Sequence, residues 1–169
     1  AWFVKIGFAG TASAERVAAL IAAAVRGADA AGTDDAGVIA VAYADADRAL
    51  SLAPSALVDV AAAAGAVGLL LDTADKSGPG LRRIVAPDAL VAWVARAHGA
   101  GLLVALAGQL TADDLSFVHD AGADIAGVRG AACDGGRTGR VTVERVRALR
   151  CRADTMGSAS HKPQESHYR

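Results

Sequence analysis

Five repeats of one pattern, a short apolar run followed by a longer alanine-rich run, predict an α/β protein built on a parallel sheet. The composition agrees: 53% of the 169 residues are hydrophobic but only 4% are aromatic, so alanine, valine and leucine must build a core in which helices pack close to a sheet. The apolar runs also stop at glycine and aspartate, which marks loops at the strand ends. Consecutive βα units make parallel strands with right-handed crossovers, so the sheet is either doubly wound and open or part of a (β/α)8 barrel. One domain accommodates the whole length.

Trp2 to Phe8 is apolar and β-prone apart from Lys5, and reads as the first strand. Ser13 caps a helix to about Arg26, whose Val17, Leu20 and Ile21 share a face. Gly27 to Ala36, with Asp34 and Asp35, is a solvent-exposed connection to the second strand, Gly37 to Tyr43. Pro54 and Ser55 lead a helix from about Ala56 to Ala64, closed by Gly65. Ala66 to Leu71 is the third strand, running into Asp72-Thr-Ala-Asp-Lys76. An extra apolar segment follows Gly80, and Pro87 starts a helix that ends near Gly99. Leu102 to Leu106 is the fourth strand, and Thr111 caps a helix that stops at Gly122. Ile125 to Val128 is short and apolar, a fifth strand expected to be buried on both faces. The last helix runs from Thr142 or Val143 to about Arg150. Residues 1–151 thus form the folded domain, and the apolar-poor tail, residues 152–169, is expected to be disordered or expression-derived.

A formal charge of −1, from 17 basic and 18 acidic residues, gives no electrostatic reason to expect nucleic acid or a membrane surface as a partner. A small molecule is the default ligand. The two cysteines, Cys133 and Cys151, have neither metal-site nor disulfide-framework spacing, which fits a reducing cytoplasm. No run reaches the roughly 18 apolar residues of a spanning helix. The chain starts without methionine inside a strand-like segment, and residues before Ala1 are expected to exist. No metal site or cofactor is expected, because His, Cys and carboxylates do not cluster and no dinucleotide or Walker fingerprint occurs.

The chemistry-bearing residues fall at strand ends. Only three lysines occur, Lys5, Lys76 and Lys162, against 14 arginines. Lys5 points opposite to Val4 and Ile6. In a barrel it would be desolvated near the active site and act as a proton acceptor or amine nucleophile; on an edge strand it would snorkel to water. Asp72 ends the third strand with Lys76 four residues on, either a proton-shuttling pair or a surface ion pair. After the fifth strand, Arg129-Gly-Ala-Ala-Cys133 and Gly135-Gly136 leave backbone amides uncovered, with Arg129 and Arg137 adding charge, which suits a phosphate or a flexible connection.

The strings Phe3-Val-Lys-Ile-Gly7, Val41-Ala-Tyr-Ala-Asp45, Leu70-Leu-Asp-Thr-Ala74 with Lys76, Leu106-Ala-Gly108 and Gly127-Val-Arg-Gly-Ala-Ala-Cys133 occur in order. Together they resemble the (5-formylfuran-3-yl)methyl phosphate synthase (4-HFC-P synthase) family of methanofuran biosynthesis. The resemblance implies a TIM (β/α)8 barrel of which this chain supplies about five βα units, strands 4 to 8. It implies a lyase-type enzyme joining two glyceraldehyde 3-phosphate molecules, with loss of phosphate and water, into 4-(hydroxymethyl)-2-furancarboxaldehyde phosphate, for a cofactor of one-carbon metabolism. Lys5 then matches a strand lysine acting as proton acceptor, and Asp72 and Lys76 match an active-site carboxylate and second lysine. Gly108 and the loop of Arg129, Gly130, Ala131 and Ala132 fall where barrels bind phosphate. The family's Schiff-base lysine lies on an earlier strand with no counterpart here, so on its own the chain is expected not to form the imine. A complementing N-terminal segment or a homo-oligomer is the expected partner. Two alternatives stand beside this: another Schiff-base, phosphate-binding aldolase or synthase on the same barrel, or a non-catalytic half-barrel.

Overall fold

The computed structural model describes residues 3–31 and 36–160. Five parallel strands, β1 (Phe3–Gly7), β2 (Gly37–Tyr43), β3 (Gly68–Asp72), β4 (Leu103–Leu106) and β5 (Ile125–Ala126), lie side by side in chain order. A doubly wound sheet reverses its order at a switch point; a sequential order of right-handed crossovers keeps the helices on one face, as in a barrel wall. The helices are α1 (Ala14–Ala30), the short α2 (Ala46–Ala49), α3 (Pro54–Ala63), the short α4 (Leu81–Ile84), α5 (Pro87–Gly99), α6 (Leu115–Asp120) and α7 (Val143–Ser160).

Strand alternation divides the side chains between two faces. Ala40, Ala42, Leu69, Leu71, Val104 and Leu106 point to the helices and join the main core with α1, α3 and α5. Each such fully buried leucine or valine contributes about 1.5–3 kcal/mol of transfer free energy. Ile39, Val41 and Leu70 form a separate small cluster on the other face, with Tyr43, Ala105 and Ala107 packed on it. By register, Lys5 pairs with Ile39 and Asp72 with Tyr43, which puts both functional candidates on this second face. Among the described residues no helix covers its lower part: Phe3, Leu103 and Ile125 are 45%, 42% and 43% exposed.

Local signals explain the boundaries. The Ser13 side chain accepts a hydrogen bond from the Arg16 amide and starts α1. Pro54 and Pro87 open α3 and α5, where a missing N–H costs nothing. Thr111 and Asp114 form a reciprocal capping box over the 3₁₀ turn Ala112–Asp114 before α6.

Several expectations need correction. The segment of β5 is not buried on both faces: it is two residues long, pairs only with β4 among the described residues, and leaves Ile125 at the sheet edge. The glycine-rich stretch after it is not a plain loop. It contains an antiparallel pair, β6 (Cys133–Asp134) with β7 (Arg140–Val141), flanked by 3₁₀ turns. The tail does not begin at Arg152, since α7 runs to Ser160. Arg152 pairs with Asp113 at 2.7 Å, and Met156 packs against the cluster of Leu115, Ala132 and Leu149. Met156 lies two helical turns after Leu149, so a single apolar residue sufficed to hold the face. Trp2, Asp34, Asp35 and residues 161–169 lie outside the described residues.

Candidate active site

The C-terminal ends of the strands surround a cavity of about 540 Å³. Lys5 from β1, Asp72 and Lys76 from the end of β3, and Gly108, Arg129, Gly130 and Ala131 from the loops after β4 and β5 all line it. Sequence reading placed each of these at the site separately; the fold brings them to one wall. Ala132 is the exception. It is buried against Leu115 and Leu149, and its amide already donates to the Arg129 carbonyl at 3.0 Å. Lys5 is exposed, as the edge-strand alternative has it, because β1 is the edge of the described sheet and no described element stands opposite it.

The β3 loop is held by carboxylates. Asp72 Oδ1 accepts from its neighbour's amide, Thr73, at 2.8 Å and from Lys76 Nζ at 2.7 Å. Lys76 also donates to the Thr73 carbonyl, so two of its three protons are directed and its ammonium is fixed at the cavity wall. With side chains 29% and 19% exposed, the pair is half-buried and contributes modestly to stability, on the order of 1 kcal/mol; its main effect is orientation. Asp45, just past β2, accepts the amides of Ala74 at 2.7 Å and Asp75 at 2.8 Å, one on each oxygen. Burial pushes the Asp45 carboxyl up, but these amide bonds outweigh it and its pKa is lowered. Asp75 in turn takes the Ser77 hydroxyl and the Ser77 and Gly78 amides and pairs with Arg48; the Ser77 contacts lead in lowering it to about 2. Tyr43, beside Asp72 in register, has its phenol pKa raised by burial and then by the charges of Asp72 and Asp45.

The β4 loop docks on the β3 loop. Gly108 has φ +107°, and its carbonyl accepts the Leu81 amide at 2.9 Å. Gln109, a non-glycine residue at φ +56°, donates from its side chain to the Gly78 carbonyl at 3.0 Å. Gln109, Thr111 and Arg137 complete the wall around the bare backbone of Gly130 and Ala131. Four cationic side chains, Lys5, Lys76, Arg129 and Arg137, thus face one carboxylate, Asp72, an excess that attracts an anionic ligand. Of these contributors, Asp45 and Gln109 were not singled out in the sequence. The available signal for Asp45 was its place two residues beyond a strand end, where loops carry function.

Comparison with known proteins agrees with the geometry. The (5-formylfuran-3-yl)methyl phosphate synthase of Methanopyrus kandleri is 41% identical over 138 residues, 82% of this chain and 58% of that protein. The synthase of the same name from Methanothermobacter thermautotrophicus is 37% identical over 150 residues, 88% of this chain and 63% of that protein. The chain therefore spans about three-fifths of the length of these relatives. In fold it is similar to 3-hexulose-6-phosphate synthase, with TM-score 0.58 and 21% identity over 90% of this chain and 62% of that one, a likeness of the TIM-barrel type. The profile of the 4-HFC-P synthase family matches residues 1–150, and the chain belongs to that family.

Proposed function

We propose that this chain forms strands 4 to 8 of a TIM barrel that condenses two glyceraldehyde 3-phosphate molecules into 4-(hydroxymethyl)-2-furancarboxaldehyde phosphate for a methanofuran-type cofactor. The observation that carries this is the convergence of Lys5, Asp72 and Lys76 with the cationic glycine loop on one cavity, in a chain of this family. Lys5, exposed at the edge of this sheet and covered once the preceding strands complete the barrel, takes a proton from the carbon next to the aldehyde as an amine base at the cavity wall. Lys76, oriented by Asp72, donates to the carbonyl oxygen where negative charge develops. Arg129, Arg137 and the backbone of Gly130 and Ala131 hold the phosphate, which both anchors the substrate and places the leaving group. Lyase chemistry through an imine and a cytoplasmic setting, which the free thiols of Cys133 and Cys151 suit, belong to the same proposal.

The test is product analysis by mass spectrometry after incubating the barrel enzyme containing this chain with glyceraldehyde 3-phosphate. The furan phosphate is the expected product. Lys5→Ala should abolish it while circular dichroism stays unchanged. Undiminished turnover in Lys5→Ala would remove Lys5 from the chemistry, and a product needing a different second substrate would replace the reaction.

A further inference from the structure

We infer that Asp45 is a positioning residue for the Lys76 ammonium, acting from a neighbouring strand through the backbone of the β3 loop. This rests on the reading of Asp72 and Lys76 as site residues, but its geometry is independent of which reaction they serve. Between Thr73 and Gly78, the amides of Thr73, Ala74, Asp75, Ser77 and Gly78 all donate to carboxylates. Those carboxylates are Asp72, Asp45 and Asp75, and only Asp45 comes from outside the loop. The other ties on this turn are Asp72 at its own root, Arg48 through the Asp75 side chain and Gln109 through the Gly78 carbonyl, none of which holds the Ala74 or Asp75 amide.

The consequence falls on Lys76 because its two acceptors, Asp72 Oδ1 and the Thr73 carbonyl, come immediately before the point where Asp45 grips the chain, the Thr73 carbonyl in the same peptide unit as the Ala74 amide. If the Ala74 and Asp75 amides move, the Thr73 carbonyl moves with them across a planar peptide, and the ammonium loses one of its two fixed partners. Arg48, within α2, adds a second tie by pairing with Asp75 at 2.5 Å. It is an exposed contact and the weaker of the two. Asp45 is itself fixed by its place at the start of α2, where the Arg48 and Ala49 amides donate to its carbonyl. The Asp45 carboxylate therefore ties the end of β2 to the β3 loop through two backbone amides, while two further amides on its backbone carbonyl anchor the residue to α2.

The chain's scarcity of lysine makes a direct test simple. Competitive reductive methylation at limiting formaldehyde, read by peptide mass spectrometry, reports the reactivity of Lys76 against Lys5 and Lys162 in one sample. In the unaltered protein the ammonium of Lys76 is occupied by Asp72 and Thr73 and should label slowly. Asp45→Asn, which cannot accept both amides, should raise Lys76 labelling about fivefold, the equivalent of one lost hydrogen bond, with the Lys5 to Lys162 ratio unchanged. Where turnover is measurable, Asp45→Asn should lower kcat with little change in KM, and its effect should vanish in a Lys76→Ala background, which a general loss of stability would not produce. Equal labelling of Lys76 in both proteins, or a uniform rise at all three lysines, would overturn the inference. If Asp45→Asn does not fold, Asp45→Glu, which keeps the charge but displaces the carboxylate from the two amides, carries the same comparison, with a smaller selective rise at Lys76 expected and none overturning the inference. Absence of furan formation by the unaltered enzyme would defeat the proposed reaction alone, since the labelling comparison needs no substrate.

Discussion

Replacing Gly108 by alanine separates two reasons for a glycine at the cavity wall, bare amides for an anion and a backbone that no other residue can adopt in that space. Its φ of +107° lies where L side chains are strained, a cost of about 1–3 kcal/mol. A Cβ there would stand 3.0 Å from Thr73 Cγ2 and 3.2 Å from Leu81 Cβ. Thr73 and Leu81 are both 0% exposed, so neither can swing into solvent, and overpacking of this kind costs about 1–3 kcal/mol. The combined loss of about 2–6 kcal/mol is a large part of the stability of a domain this size. Gly122→Ala is the control: φ is +78° but nothing lies within 4 Å, so only conformational strain of about 1–2 kcal/mol applies. In urea, with a slope of about 1–3 kcal/mol/M, Gly108→Ala should lower the unfolding midpoint by about 1–3 M and clearly more than Gly122→Ala does. A midpoint for Gly108→Ala at or above that of Gly122→Ala would refute the close-contact reasoning and leave anion binding as the role of Gly108.

The remaining expectations concern charge. Asp45, Asp75, Asp114 and Asp124 all have lowered pKa values; for Asp124 burial pushes up, and the Val104 amide and His98 pull down further. Because the folded values lie below the ordinary 3.8, the stability these groups supply is complete above 3.8 and is lost as pH falls through the folded values, about 2 for Asp75. The urea midpoint should hold down to about pH 5 and fall steadily below pH 4, less steeply in Asp124→Asn; a midpoint flat to about pH 2.5 would contradict this. Arg129→Ala and Arg137→Ala should each weaken inorganic phosphate binding about tenfold by calorimetry, the loss of one charge-assisted contact, with an unaltered affinity in both removing the loop from phosphate binding.

The pattern of apolar runs and glycine punctuation determined the order of the five strands and their parallel pairing, the place of Lys5 within the first strand and that of Asp72, Lys76 and the glycine loop at strand ends, because alternation and capping are local properties written within a few residues of one another. What tertiary structure decided is which of these meet. Asp45 grips amides 29 and 30 residues downstream, and Gln109 reaches Gly78 across 31, contacts that exist only because parallel pairing sets the ends of successive strands side by side. The exposure of Lys5 and Ile125 followed from their places on the first and last strands of the described sheet, which no spacing within either strand encodes. A fold's edges and its cross-loop contacts are properties of the assembled sheet, and side-chain pattern reports only the face each residue occupies.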